Sequence, residues 1–130
     1  MRILVVDDEP KIAKLIQETL TGKGHQTDLA FDGNKGLELI QANPYDLIFL
    51  DFNMPELTGL ELIKVIREKK LPVKTVLVTG YEVMESFFAK TLGADEYVRK
   101  PFHIAELETI LEKYTVPQVT KDEKNGRRVF

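Results

Sequence analysis

Cysteine is absent from the 130 residues, which excludes disulfides, thiol catalysis and Cys-based zinc sites together. Histidine is scarce. His25 and His103 are the only two, far apart in the chain, too few for a His-rich metal site. Long apolar runs are missing: the longest are about five residues, far short of the roughly 20 needed to span a bilayer. The first of them, Ile3-Leu4-Val5-Val6, is also too short for a signal-peptide core and runs straight into acid. There is no excess of basic charge. Against 21 Asp plus Glu stand 18 Lys plus Arg, a net charge of −3, which argues against a nucleic-acid surface. No membrane contact and a cytoplasmic location are therefore expected. What remains is an ordinary globular mix, 43% hydrophobic and 30% charged, of a length that fits one domain.

Short apolar blocks alternate with helical patterns. Ile3 through Val6 forms the first block and ends at Asp7-Asp8. Ile12, Leu15, Ile16, Thr19 and Leu20 then recur at helical spacing, with Pro10 suited to the first turn and Gly22 and Gly24 marking the end. Thr27, Leu29 and Phe31 alternate with Gln26, Asp28 and Ala30, which reads as a strand. Asp32-Gly33 suits the cap of a second helix with Leu37 and Ile40 inward, and Asn43-Pro44 stops it. Leu47-Ile48-Phe49-Leu50 is a second block, ending at Asp51, and Leu62, Ile63 and Ile66 give the next helix its core face. Thr75-Val76-Leu77-Val78 is a third block, ending at Thr79-Gly80. Met84, Phe87, Phe88 and Thr91 predict a fourth helix, closed by Gly93. Glu96-Tyr97-Val98-Arg99 reads as the last strand, and Ile104, Leu107, Ile110, Leu111 and Tyr114 as the last helix. The segment 116–130 is polar and aperiodic, a tail or the start of a linker. Five strand-helix units with continuous apolar strands predict an α/β fold with a parallel sheet covered on both faces.

In such sheets ligands bind beyond the carboxyl ends of the strands. The residues found there are Asp7-Asp8, Asp51, Thr79 and Lys100. Carboxylates placed so close repel unless a counter-ion intervenes, and a hard divalent cation with oxygen ligands, Mg²⁺ above all, resolves the conflict. Lys100 suits a phosphoryl oxygen, Thr79 can donate to one, and an Asp can act as a nucleophile toward phosphorus. Singly, each residue has a plain structural explanation. Asp7-Asp8 can cap the first helix, Thr79 can close its strand, and Lys100 can be an ordinary solvated lysine. Phe87 and Phe88 read as core, and His25 and His103 as surface. The joint occurrence of matched chemistry at four strand ends is what points to a Mg²⁺-assisted site where an Asp accepts a phosphoryl group.

The chain resembles the receiver domains of two-component response regulators. VVDDEP, LDFNMPELTG, VLVTGY and GADEYVRKPF carry the resemblance, which covers about residues 2–115. It is similar both to single-domain phosphorelay receivers and to receivers of sigma-54 activators. The resemblance implies a flavodoxin-like (βα)5 three-layer sandwich whose five-stranded parallel sheet runs in order 2-1-3-4-5, with residues 1–115 as receiver. It implies Asp51 as phosphoacceptor, Asp8 as a direct Mg²⁺ ligand, Asp7 as an acid acting through water, and the backbone carbonyl of Asn53 as a further ligand. Mn²⁺ is expected to substitute. Thr79 matches the switch hydroxyl, Gly80 the small residue that leaves the site accessible, and Lys100 the lysine that bonds a phosphoryl oxygen. Lys100-Pro101 matches a peptide bond that is usually cis. Tyr97 matches the aromatic switch, and Asn53 and Tyr81 occupy positions that influence phosphoryl lifetime.

The same resemblance implies a switch rather than an enzyme, one that catalyses only its own phosphorylation and dephosphorylation. A histidine kinase or a His-containing phosphotransfer protein is the expected donor. The face made by the fourth helix, fifth strand and fifth helix is the expected surface for a downstream protein, as monomer or phosphorylation-dependent dimer. Pro10, Lys11, Ile12, Lys14, Leu15 and Phe102 match the family's kinase-docking surface, although Ile12 and Leu15 can equally be core. About fifteen residues follow the last helix, too few for a DNA-binding or ATPase domain, so a stand-alone receiver is preferred over one cut from a longer regulator. A haloacid-dehalogenase-like phosphatase needs a second Asp where Asn53 stands. A flavodoxin-like nucleotide or flavin binder needs a Gly-, Ser- or Thr-rich loop after the first strand, where this chain has Asp7-Asp8-Glu9.

Overall fold

A computed structural model describes residues 1–80 and 91–115. The helix expected from Met84, Phe87 and Phe88, the residue Tyr81 and the tail 116–130 lie outside the described residues. The elements are β1 (Arg2–Val6), α1 (Pro10–Gly22), β2 (Gln26–Ala30), α2 (Gly33–Ala42), β3 (Leu47–Asp51), α3 (Gly59–Glu68), β4 (Lys74–Thr79), β5 (Glu96–Arg99) and α4 (Ile104–Thr115). Here α4 is the helix that the sequence pattern places fifth.

All five strands are parallel and run in the order β2-β1-β3-β4-β5, the flavodoxin-like arrangement. The continuous apolar blocks exist because both faces of the sheet are covered. On one face Leu4, Val6, Ile48, Leu50 and Leu77 pack with Ile40 of α2 and Leu62, Ile63 and Ile66 of α3. On the other, Ile3, Val5, Phe49, Val76 and Val98 pack with Ile16 and Leu20 of α1 and Leu107 and Leu111 of α4. Each such side chain, fully buried, contributes roughly 1.5–3 kcal/mol.

Local signals set the helix ends. Pro10 opens α1, where its missing N–H costs nothing. The Asp32 side chain accepts from the Lys35 N–H at 2.7 Å and caps α2. Thr58 and Glu61 cap α3 reciprocally.

Three apolar side chains within the expected helix and strand patterns lie at the surface. Leu15 is 41% exposed because the buried stripe of α1 runs through Ala13, Ile16 and Leu20, which keeps Ile16 and Leu20 of the expected face and leaves Leu15 outside it. Phe31 is 43% exposed because β2, an edge strand, ends where Ala30 pairs with Val6. Ile104 is 36% exposed in the first turn of α4, beyond the reach of the sheet. His25 is half-buried rather than on the surface, with its Nδ1 2.9 Å from the N-terminal amine. Burial, and then that amine's charge, lower its pKa. His103 is exposed.

Candidate functional site

The register of the sheet assembles the site. Val6 pairs with Leu50, so the next residues, Asp7 and Asp51, emerge side by side where the strand order reverses. Val78 pairs with Asp51 and Thr79 with Arg99, which brings Thr79 and then Lys100 to the same edge. Backbone bonds lock these ends: Phe52 N–H donates to Val78 O at 2.7 Å, and Lys100 N–H to Thr79 O at 2.6 Å. The Lys100-Pro101 peptide bond is cis. Gly59 allows α3 to start directly over Asp51, because a Cβ there would lie 2.3 Å from the Asp51 carbonyl oxygen.

One oxygen from each of Asp7, Asp8 and Asp51 lies within 4.8 Å of the others. Asp7 and Asp51 are buried and Asp8 opens outward. Lys100 Nζ sits 3.3 Å from Asp7 Oδ2 and 3.5 Å from Asp51 Oδ2, and closer still, 2.6 Å, to Glu9 Oε1. Asp51 Oδ1 also accepts from the Asn53 N–H at 3.3 Å, and Asp7 Oδ1 from the Glu9 N–H at 2.9 Å. Asp8, Glu9, Asp51, Asn53, Gly80 and Lys100 line an open cleft of about 370 Å³. Among the described residues a Cβ on Gly80 would meet nothing within 4 Å.

One ammonium does not balance this much negative charge. Burial, then the field of Asp7, push Asp51 up to about 7 against the pull of Lys100. Burial likewise raises Asp7. Burial works to lower Lys100, but the bond from Glu9 and the fields of Asp7 and Asp51 outweigh it and hold its pKa above the ordinary value. Among the described residues Asp7 Oδ2 is buried without a hydrogen-bond partner, 3.3 Å from the Lys100 ammonium. A hard divalent cation fits this donor set, since it would relieve the repulsion among the three acids.

A family model for the response regulator receiver domain matches residues 3–112. The chain belongs to that family. The receiver is 44% identical over 108 residues to the transcriptional regulatory protein DltR of Streptococcus agalactiae, a match covering 82% of this chain and 48% of DltR. It thus spans about half the length of the curated relatives it matches. Among solved structures it is similar to TrrA of Thermotoga maritima in complex with Mg²⁺ and beryllofluoride, with TM-score 0.78 and 42% identity, covering 87% of this chain and 97% of that one. It is similar also to the receiver domain of Francisella response regulator 1452, with TM-score 0.81 and 34% identity, covering 87% and 94%. A receiver is a signalling switch, and the acid cluster at Asp7, Asp8 and Asp51 is its candidate centre.

The remaining expected residues fall in three places. Thr79 is buried at the end of β4. Tyr97 is half-buried on β5 against the α3 side of the core. Pro10, Lys11, Lys14 and Leu15 are exposed, while Ile12 and Phe102 are half-buried and pack against the other core layer. Two residues that shape the site are not singled out by the sequence pattern. Glu9 is visible there only as a third acid after Asp7-Asp8, and Gly59 only as the glycine closing LDFNMPELTG. Among the described residues no helix is long and apolar enough to cross a membrane.

Proposed function

We propose that this receiver accepts a phosphoryl group on Asp51 from phosphohistidine carried by a histidine kinase or a His-containing phosphotransfer protein. The observation that supports this most is the seating of Asp51: a buried carboxylate lining an open cleft, clustered with the carboxylates of Asp7 and Asp8 and 3.5 Å from the Lys100 ammonium. An Asp51 carboxylate oxygen attacks phosphorus in line. The O–P bond forms as the N–P bond of the donor breaks, and the electron pair stays on the imidazole nitrogen, which takes a proton. Asp8, Asp51 and the Asn53 carbonyl would hold a Mg²⁺, with Asp7 acting through water and Mn²⁺ able to substitute. Bound there, such an ion would neutralise charge on the phosphoryl oxygens.

Lys100 donates to a phosphoryl oxygen and Thr79 turns its hydroxyl toward the group. Tyr97 fills the space Thr79 leaves, and the surface that includes β5 and α4 changes shape for a downstream protein. Water later attacks phosphorus, the bond to Asp51 breaks, and inorganic phosphate departs. Asn53 and Tyr81 set that lifetime. The receiver domain runs over residues 1–115. The test is intact mass after incubation with acetyl phosphate and Mg²⁺. One added phosphoryl group, lost on chelation and absent in Asp51→Asn, is expected; an adduct that persists in Asp51→Asn overturns the assignment.

A second reading concerns output. The relative DltR is named a transcriptional regulatory protein, and the matched region is 48% of it. This favours a receiver that works joined to a DNA-binding half over one that works alone. Phosphorylation-dependent dimerisation of the receiver supports the first. Onward transfer to a His-containing protein supports the second.

A further inference from the structure

The carboxylate nearest the Lys100 ammonium belongs to Glu9. Glu9 Oε1 lies 2.6 Å from Nζ, against 3.3 Å for Asp7 Oδ2 and 3.5 Å for Asp51 Oδ2. The first is the length of a strong charge-assisted hydrogen bond, and the last is at the limit of any hydrogen bond. Glu9 is held for this by its backbone. Its N–H donates to Asp7 Oδ1 at 2.9 Å, and its carbonyl accepts the Ala13 N–H at 3.0 Å in the first turn of α1. It occupies the N-cap position of α1, where a side chain normally serves the helix, yet makes no capping bond. The side chain reaches across the cleft to Lys100 instead.

We infer that Glu9 is a positioning residue that gives Lys100 a resting seat, which Lys100 must leave in order to serve a phosphoryl group on Asp51. This rests on the reading of Asp51 as phosphoacceptor. The two ends of the contest differ in solvation. The Glu9 side chain is 59% exposed, so water replaces Lys100 when it leaves. The side chains of Asp7 and Asp51 are 2% and 6% exposed and have no such substitute. Glu9 therefore opposes the phosphorylated state by a modest amount, that of an ion pair with one wet partner, and leaves the buried acids their cation.

The test is calorimetric titration of beryllofluoride with Mg²⁺, a phosphoryl mimic, into wild type, Glu9→Gln and Glu9→Asp. Each variant is first shown to be folded by its thermal melt. Glu9→Gln removes the charge and reduces the seat to an ordinary hydrogen bond to an amide oxygen. Glu9→Asp keeps the charge but is one methylene too short for the 2.6 Å contact. Both are expected to tighten binding roughly two- to fivefold, the range for such a pair. Tightening in Glu9→Gln alone means that the charge merely repels the anion, and overturns the seat. Variants that both match wild type overturn it as well. Failure of wild type itself to bind beryllofluoride instead brings down the phosphoacceptor reading and this inference with it.

Discussion

Replacing Asp51 with Asn is expected to stabilise the metal-free protein at pH 8. Asp51 is 5% exposed, and its carboxyl is held up to about 7 from an ordinary 3.8, burial first and Asp7 second. In the folded state it thus binds a proton over a window where the unfolded chain has lost it. Stability contributed by this group is intact below about pH 4, falls as pH rises toward 7, and is lowest above that. Holding the carboxyl at about 7 instead of 3.8 sets a ceiling of about 4 kcal/mol on the cost of its charge above pH 7. The attraction of Lys100 at 3.5 Å is already contained in that figure, and relaxation of the open cleft with entry of water reduces it further. A net gain of roughly 1–2 kcal/mol remains, or about 4–10 °C in Tm for a domain of this size. Thermal unfolding of wild type and Asp51→Asn in chelator, at pH 4 and at pH 8, measures it. The gain should appear at pH 8 and shrink toward zero at pH 4. Saturating Mg²⁺ should raise wild type and narrow the gap. An Asp51→Asn protein no more stable than wild type at pH 8 would refute the picture of an overcharged metal-free site.

Three further outcomes are expected. Gly59→Ala places a methyl 2.3 Å from the Asp51 carbonyl oxygen and should cost roughly 1–3 kcal/mol while weakening Mg²⁺ binding, both read in a thermal melt with metal titration. Asp32→Ala removes the cap of α2 and should cost about 1 kcal/mol in urea unfolding, with labelling by acetyl phosphate unchanged. Neutralising the exposed Lys11 and Lys14 should slow transfer from a cognate kinase and spare labelling by acetyl phosphate; equal loss in both assays would remove them from the docking surface.

Much of this molecule was legible because its signals are local. A strand buried on both faces has to be apolar at every position, so Ile3 through Val6 and Leu47 through Leu50 declare themselves. Acids directly after those strands stand at the carboxyl edge whatever the rest of the chain does. Helix caps such as Asp32 are settled within four residues. Faces of helices were less legible. Ile12, Leu15 and Ile16 share an apolar pattern, yet only the sheet's position decides that Ile16 is buried and Leu15 is open. Arg67 shows the same limit. Its guanidinium donates to Gly93 O at 2.6 Å and to Asp95 Oδ2 at 2.9 Å, tying the end of α3 to the start of β5, and nothing in its own neighbourhood of the sequence announces this.

The sequence by itself determined the alternation of elements, the all-apolar strands, and which chemical groups end each strand, since these depend on neighbours a few bonds away. Tertiary structure alone decided the distances among those groups. Sheet order and the pairing of Val6 with Leu50 bring Asp7 beside Asp51. The meeting of Glu9 with Lys100, 91 positions apart, needs the whole sheet in place. The raised pKa of Asp51 is likewise a property of the fold, because desolvation and the field of Asp7 act on that carboxylate only once the chain has closed around it.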